Sequence, residues 1–307
     1  MQQKKGSFKI RLEHAFFAGM ISLVRFSPAW ALELERKLLV FFLKKASPRH
    51  SRLVAANLAL AFPADPAARR DHLKTRVYDH FGRVFMEILR TFARGDTRSV
   101  LARTRVNHAE ILEGALEKGR GVIVFSAHFG NWEWIPLVLR DRLGRDIHSI
   151  ARPMDNPLIE NKVRKFREAA GSQVIYKQGS LRTILKRLGN NNIVYLLIDQ
   201  NTVPREGVFV DFFATKAATV TTVSQLVLKK NIPAVPVFLH YEGDAIVVDV
   251  LPEIDFPVAG GDGAAVTSLT QELTRLIEEQ VRRFPEQWFW FHDRWKTRPQ
   301  GEIHESQ

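Results

Sequence analysis

Gly121-Val-Ile-Val-Phe-Ser-Ala-His-Phe-Gly-Asn-Trp-Glu-Trp134 is the stretch of this 307-residue chain that decides its fold. The run from Val122 to Phe125 is too short for a helix and is rich in β-branched residues, so it predicts a buried strand. The apolar spacing over residues 132–142 predicts a helix directly afterwards. His128 therefore falls on a strand-to-helix turn, where catalytic groups are commonly mounted.

The same turn contains the polar groups expected of a proton-transfer site. His128 is followed five residues later by Glu133, which suggests a general base and the carboxylate that orients it. Residues five apart on one continuous helix point in different directions, so the pair converges only if a bend separates them. Gly130 and Asn131 tolerate such a bend. A histidine and a glutamate among aromatic residues are expected to satisfy each other, because burial of either alone is costly.

Beyond this stretch, apolar runs of strand length alternate with segments of helical spacing. The predicted strands are 121–126, 147–151, 173–176, 193–198, 234–240 and 245–251. The predicted helices between them are 132–142, 156–170, 180–189 and 219–230, with a further helix capped by Asp262 and a helical region over 51–118. This alternation predicts an α/β fold with a mostly parallel central sheet flanked by helices.

Three candidate site residues each follow a predicted strand: His128, Arg152 and Asp199. In open α/β sheets, sites form beyond the carboxyl ends of the strands. These residues are therefore expected to share one rim.

Composition narrows the classes of function. The chain has no cysteine, which excludes disulfides, a thiolate nucleophile and Cys-type zinc sites. No histidine pair has metal-ligand spacing, and no glycine-rich nucleotide motif or Gly-x-Ser-x-Gly elbow follows a strand, so we expect no metal and no bound cofactor. The net charge of +12 suits an anionic membrane or an acidic protein partner. No nucleic-acid-binding motif is present, so nucleic acid is not an expected partner.

The N-terminus predicts a membrane-anchoring segment over residues 1–46, followed by one domain over 47–307. Basic residues precede the apolar run 15–24, and a second apolar segment after Pro28 ends in Lys44 and Lys45. A run of ten residues is shorter than the roughly 20 needed to span a bilayer. Two amphipathic helices lying in the membrane interface fit this pattern, and the flanking lysines favour the cytoplasmic side. A single tilted span and an ordinary helix packed on the core are the alternatives.

Five separated motifs resemble one known family. His128-Phe-Gly-Asn-Trp-Glu133 resembles the HX4(D/E) motif of the lysophospholipid acyltransferase superfamily, in the form found in the late lauroyl and myristoyl acyltransferases of lipid A biosynthesis. Four other blocks are similar to that branch in the same order: 57–63, 151–157, 198–213 and 285–296. In one departure, Ala214 stands where family members often have glycine. The resemblance implies a lysophospholipid acyltransferase-like fold.

The resemblance also implies a reaction: transfer of a fatty acyl chain from acyl carrier protein to a hydroxyl of a lipid A precursor, in lipopolysaccharide biosynthesis at the inner membrane. His128 would be the general base and Glu133 its orienting group, with backbone N–H groups near Gly130 as candidate oxyanion donors. The candidate substrate-binding residues are Arg152, which suits a phosphate, and Asp199, Gln200, Asn131 and Arg205.

Several alternatives remain open from the sequence. The donor is either an acyl carrier protein or a coenzyme A thioester. The acceptor is either a lipid A precursor or another lipid, such as a glycerophospholipid, a mannosylated phosphatidylinositol or an aminolipid. A non-catalytic membrane-binding protein is a further alternative, against which the intact His128 and Glu133 argue. The tryptophans of 285–296 fit an interfacial belt and a buried core equally well.

Overall fold

A computed structural model of the chain describes residues 2–176, 180–256 and 262–301. The α-helices are Gln2–Phe26 (α1), Ala29–Ala46 (α2), Pro48–Ala61 (α3), Ala67–Arg94 (α4), Arg98–Leu101 (α5), Glu110–Glu117 (α6), Ile135–Leu143 (α7), Pro157–Ala169 (α8), Ser180–Gly189 (α9), Thr222–Lys230 (α10) and Gly263–Arg283 (α11). The strands are Thr104–Asn107 (β1), Val122–Ser126 (β2), Ile147–Ala151 (β3), Ser172–Tyr176 (β4), Ile193–Leu197 (β5), Gly207–Phe212 (β6), Thr215–Val220 (β7), Ala234–Glu242 (β8) and Ala245–Val250 (β9).

Seven strands form one sheet in the order β1-β9-β8-β2-β5-β3-β4. The five strands from β8 to β4 are parallel, and only the β8–β9 pair is antiparallel. Strand β2 lies between β8 and β5, and all five of its residues are buried. A strand buried on both faces reads as a continuous apolar run, which is why 122–125 was recognisable from the sequence. The predicted mixed α/β fold with a mostly parallel sheet and flanking helices is confirmed.

Two features of the sheet system differ from the prediction. Strand β1 lies inside the region predicted to be helical, and it forms through pairing with β9, in which Thr104 is opposite Ile246. A four-residue edge strand with little burial carries almost no periodic signal, so its long-range partner decides its conformation.

The hairpin β6–β7 is the second difference, and β7 extends to Val220, into the predicted helix 219–230. Its two turn residues, Phe213 and Ala214, have φ of 52° and 54°. Two-residue hairpin turns with positive φ at both positions normally show Gly or Asn. Because neither residue type is present at these two positions, the hairpin has no recognisable sequence signal.

Helices α1 and α2 pack on α4 and leave an apolar stripe uncovered. Phe17 contacts Phe92 of α4 edge-on, and Val24 and Val40 are buried, so one side of the two helices is fixed to the protein. The other side exposes large apolar residues at helical spacing: Phe8, Leu12, Phe16, Leu23, Phe26, Trp30, Leu34, Leu38, Phe41 and Phe42. Within the described residues, no helix has both the length and the apolarity to cross a bilayer. The helical character of this segment is as predicted, and its membrane role stays a prediction.

Candidate active site

The register of β2 and β5 brings two site residues together. Ser126, the last residue of β2, is opposite Leu197, the last residue of β5. Two residues beyond each strand end, His128 and Asp199 therefore meet above the carboxyl edge of the sheet. The distance from His128 Nδ1 to Asp199 Oδ1 is 2.8 Å.

Asp199 is 3% exposed, and each of its oxygens has a defined partner. Oδ1 faces the His128 ring, whereas Oδ2 accepts the backbone N–H of His128 at 2.9 Å and the indole N–H of Trp288 at 2.8 Å. A carboxylate partner at Nδ1 places the ring proton on Nδ1 and leaves Nε2 as an acceptor. The amide nitrogen of Gln200, 3.3 Å from Nε2, fits this tautomer.

These contacts keep Asp199 ionised. Burial on its own raises the pKa of the Asp199 carboxyl group, but the charge and hydrogen bonds of His128 and the indole of Trp288 outweigh it. The net pKa is lower than the ordinary value for aspartate. The carboxylate can therefore stabilise a positive charge on the imidazole.

The turn that carries His128 needs glycine at position 130. Gly130 has φ of +56°, and a Cβ atom built there would lie 1.9 Å from the carbonyl oxygen of Leu239. Its N–H is donated to the carbonyl of Gln287 at 2.8 Å, and the carbonyl of His128 accepts the N–H of Phe289 at 2.9 Å. The N–H of Gly130 is therefore already engaged, so this one of the candidate oxyanion donors near Gly130 is not free.

Glu133 does not contact the ring of His128, and the prediction that it orients the imidazole is wrong in this geometry. It lies in the short 3-10 helix Trp132–Trp134, and its carboxylate pairs with the guanidinium of Arg167 on α8, with Nε to Oε2 at 2.9 Å. The bend at Gly130 and Asn131 is present, but it leads the chain towards α8. Asp199 occupies the position beside the ring because its strand is the neighbour of β2.

A cavity of about 1180 Å³ opens beside His128. Its walls include the Glu133–Arg167 pair and a set of apolar side chains: Ile150, Ile184, Leu197, Val208, Val220 and Val266. Cationic side chains of Arg152, Arg205 and Lys229 also line it. One cavity thus combines a histidine with an acceptor nitrogen, an apolar wall and a positive rim.

Only some of the predicted substrate-binding residues line the cavity. Gln200 lines the cavity beside His128, and Arg152 and Arg205 lie on its rim with side chains 82% and 85% exposed. Arg152 is only loosely held, 3.4 Å from Asp155. Asn131, in contrast, is fully buried and donates to the Tyr241 hydroxyl at 3.3 Å, so it is outside the cavity. Asp199, described above, is buried against His128 and is not positioned to contact substrate.

Three residues of the C-terminal block adjoin the site, although none of them was among the predicted site residues. Trp288 is bonded to Asp199, and His292 accepts the N–H of Asn201 on its Nε2 at 2.9 Å. Arg294 is 1% exposed and donates to the carbonyl oxygens of Ala218 and Gln200. Burial lowers the pKa of Arg294 to about 10, against the opposing effect of Asp199.

The tryptophans of this block are core residues. Trp288, Trp290 and Trp295 are 1%, 0% and 6% exposed, which decides between the two alternatives left by the sequence. The only sequence signal for the role of this block was its resemblance to the family, since each residue lies far along the chain from His128.

Comparison with known proteins identifies the family. Residues 2–297 match the family described as bacterial lipid A biosynthesis acyltransferase, so the chain belongs to that family and is an acyltransferase. It is 27% identical to the lipid A biosynthesis lauroyltransferase of Escherichia coli strain K12, over 86% of this chain and 84% of that protein. It is 25% identical to the phosphatidylinositol mannoside acyltransferase of Mycobacterium tuberculosis strain CDC 1551 / Oshkosh, over 83% of this chain and 79% of that protein.

We expect the Asp199 carboxylate to make stability depend on pH. Because its folded-state pKa is lowered, its contribution is present above the unfolded-state value of about 4 and is lost as pH falls through the folded-state value. The stability difference between the wild type and Asp199→Asn should therefore be largest near pH 7 and shrink below about pH 4. Urea denaturation of both proteins from pH 7 to 3 measures it. A difference that stays constant over this range would contradict the assignment of an ionised carboxylate.

Proposed function

We propose that this acyltransferase moves a fatty acyl chain from a thioester to a hydroxyl of a membrane lipid, with His128 as general base and Asp199 as its orienting carboxylate. The observation that carries the proposal is the 2.8 Å contact between His128 Nδ1 and Asp199 Oδ1, because His128 lines a cavity of about 1180 Å³ with an apolar wall. That volume is sufficient for a lipid-sized ligand.

In the proposed reaction the acceptor hydroxyl takes the place of the Gln200 amide at Nε2 of His128. Nε2 accepts the hydroxyl proton as the oxygen attacks the thioester carbonyl carbon. Asp199 stabilises the imidazolium ion through Oδ1. The tetrahedral intermediate then collapses, the C–S bond breaks, and the imidazolium returns the proton to the thiolate. The protein supplies no nucleophile, because the acceptor oxygen performs that step.

The remaining polar groups of the cavity suit binding of an anionic substrate. Arg167 neutralises Glu133, so the wall next to His128 has no unpaired carboxylate from this pair. Arg152 and Arg205 are exposed at the rim, where guanidinium groups match phosphate oxygens. We propose that the rim contacts the phosphate of the acceptor headgroup or of the donor's carrier arm.

For the two substrates, we propose an acyl carrier protein thioester as donor and a lipid A precursor as acceptor. The net charge of +12 would attract an acidic carrier protein and an anionic lipid surface. The second candidate acceptor is a mannosylated phosphatidylinositol, which the similarity to the mycobacterial phosphatidylinositol mannoside acyltransferase supports. Both acceptors are anionic lipids that carry sugar hydroxyl groups.

We also propose that the protein works at the inner membrane, with its catalytic domain on the cytoplasmic face. The exposed stripe on α1 and α2 supports this location, because Phe16, Phe26 and Trp30 are 69%, 82% and 76% exposed along helices whose other side is packed on α4. Amphipathic helices with such a face lie in the membrane interface.

We expect His128→Ala to lower kcat for acyl transfer by about 10² to 10⁴, because general base catalysis is lost. Asp199→Asn should cost a similar factor, since it removes the charge that stabilises the imidazolium. Glu133→Gln should mainly raise KM, because Glu133 contacts Arg167 and not the ring. A radiolabelled acyl-transfer assay measures these rates, and the urea denaturation midpoint of each variant is the control for folding. Retained turnover in His128→Ala would contradict the mechanism.

The acceptor is tested in cells. If the acceptor is a lipid A precursor, deletion of the gene should remove one acyl chain from lipid A, and expression of the wild type should restore it. Mass spectrometry of extracted lipid A measures the acyl count, and expression of His128→Ala is the matched control that should fail to restore it. An unchanged acyl count in the deletion strain would favour the alternative acceptor, whose mannosylated lipids can be analysed in the same extracts.

Binding to vesicles tests the membrane location. Phe16→Gln and Trp30→Gln should each weaken partitioning onto vesicles with anionic phospholipid by about ten-fold or more, because a large apolar side chain is no longer buried in the interface. Leu181→Gln is the matched control, since Leu181 is 56% exposed but belongs to α9. Equal losses for all three variants, or no loss in the first two, would contradict the proposal.

A further inference from the structure

The C-terminal segment Pro285–Lys296 holds both members of the catalytic pair. The indole N–H of Trp288 is donated to Asp199 Oδ2 at 2.8 Å, and the neighbouring Phe289 donates its backbone N–H to the carbonyl of His128 at 2.9 Å. Trp288 also forms an isolated β-bridge with Phe129, the residue after His128. Two consecutive residues of one segment thus contact the carboxylate and the base.

We propose that Trp288 is a positioning residue for the reaction: its indole fixes the rotation of the Asp199 carboxylate so that Oδ1, and not Oδ2, faces His128. The proposal rests on the acyl transfer proposed above. A carboxylate that accepts only from the imidazole can rotate about its terminal torsion, which is broad and two-fold. Two N–H groups on Oδ2, from His128 and Trp288, remove that freedom.

The surroundings of Trp288 make the indole rigid. Its side chain is 1% exposed and lies between Phe212, at 5.4 Å between ring centroids, and Trp290, at 4.7 Å. A packed aromatic side chain cannot change rotamer without opening the core. The N–H is therefore presented to Asp199 before any substrate binds, and the carboxylate needs no rearrangement when the imidazolium forms.

The titratable and charged groups around Asp199 determine how the site responds to pH. Besides His128, Asp199 interacts electrostatically with His292, Tyr195 and Arg294. None of them donates to Oδ2 among the hydrogen bonds of the described residues. Loss of the indole N–H would therefore leave Oδ2 with a single donor, which disfavours the ionised carboxylate.

The chain offers a matched control for the loss of one indole N–H. Trp290 is 0% exposed, packs edge-on against Trp288, and donates its N–H to the carbonyl of Pro285 at 2.7 Å. Trp290→Phe removes the same group from the same core without touching Asp199. Any general effect of a smaller ring should appear in both variants.

We expect Trp288→Phe to lower kcat by about ten-fold or more beyond the effect of Trp290→Phe, with little change in KM, because a hydrogen bond to a charged group is lost. In urea denaturation between pH 7 and 3, the pH at which its stability falls through protonation of Asp199 should be about one unit higher than in the wild type, since the carboxylate is protonated more easily. The pH dependence of the stability of Trp290→Phe should match that of the wild type. Equal kcat losses and identical pH dependences of stability in the two variants would overturn the proposal.

A second measurement is independent of turnover. In protein with ¹⁵N-labelled tryptophan, the indole N–H signal assigned to Trp288 through Trp288→Phe should shift in Asp199→Asn, whereas the signal of Trp290 should stay in place. Absence of that shift would also overturn the proposal. If the wild type transfers no acyl chain from the thioester, the proposed function fails, and the indole signal still decides whether Trp288 holds Asp199.

Discussion

An ionised carboxylate in the protein interior is the constraint on which this site depends. A buried charge is tolerated only when hydrogen bonds and an opposite charge compensate for the water that it loses. Asp199 receives those bonds from two distant parts of the chain, the turn after β2 and the C-terminal segment. Moving either part away would leave the carboxylate uncompensated. The position of the His128 ring thus depends on how the C-terminal segment packs in the core.

The arginines around the site have two different physical roles, which depend on whether they are buried or exposed. Arg294 is buried under the site, and its hydrogen bonds to the carbonyls of Ala218 and Gln200 tie β7 to the residue that follows Asp199. Arg152 and Arg205 are exposed at the rim, and their ion-pair contacts with Asp155 and Glu206 are long, at 3.4 and 4.0 Å. The buried cation contributes to the structure, whereas the rim cations remain available to a ligand.

The parts of the fold with strong local signals were predictable from the sequence. Buried parallel strands such as β2 and β5 are continuous apolar runs, and their ends located His128 and Asp199 on one rim. The partner of His128 was not predictable from motif spacing, because Glu133 is near in sequence and Asp199 is near in space. Strand register decides between the two carboxylates, and register depends on pairing across the whole sheet. The contact of Trp288 with Asp199 was not predictable for the same reason, since the two residues are close in space and far apart in the sequence.

The late position of the C-terminal segment has a consequence for synthesis of the protein. Trp288 lies 89 residues after Asp199, and the carbonyl of Trp290 accepts from Asn57, 233 residues earlier. During translation the N-terminal helices and the sheet leave the ribosome well before this segment does. A nascent chain can therefore form helices α1 and α2 and several strands of the sheet while His128 and Asp199 still lack their contacts with this segment. The contacts of Asp199 are complete only when Trp288 has emerged, so a product terminated before Trp288 would contain α1, α2 and most of the sheet without an assembled site.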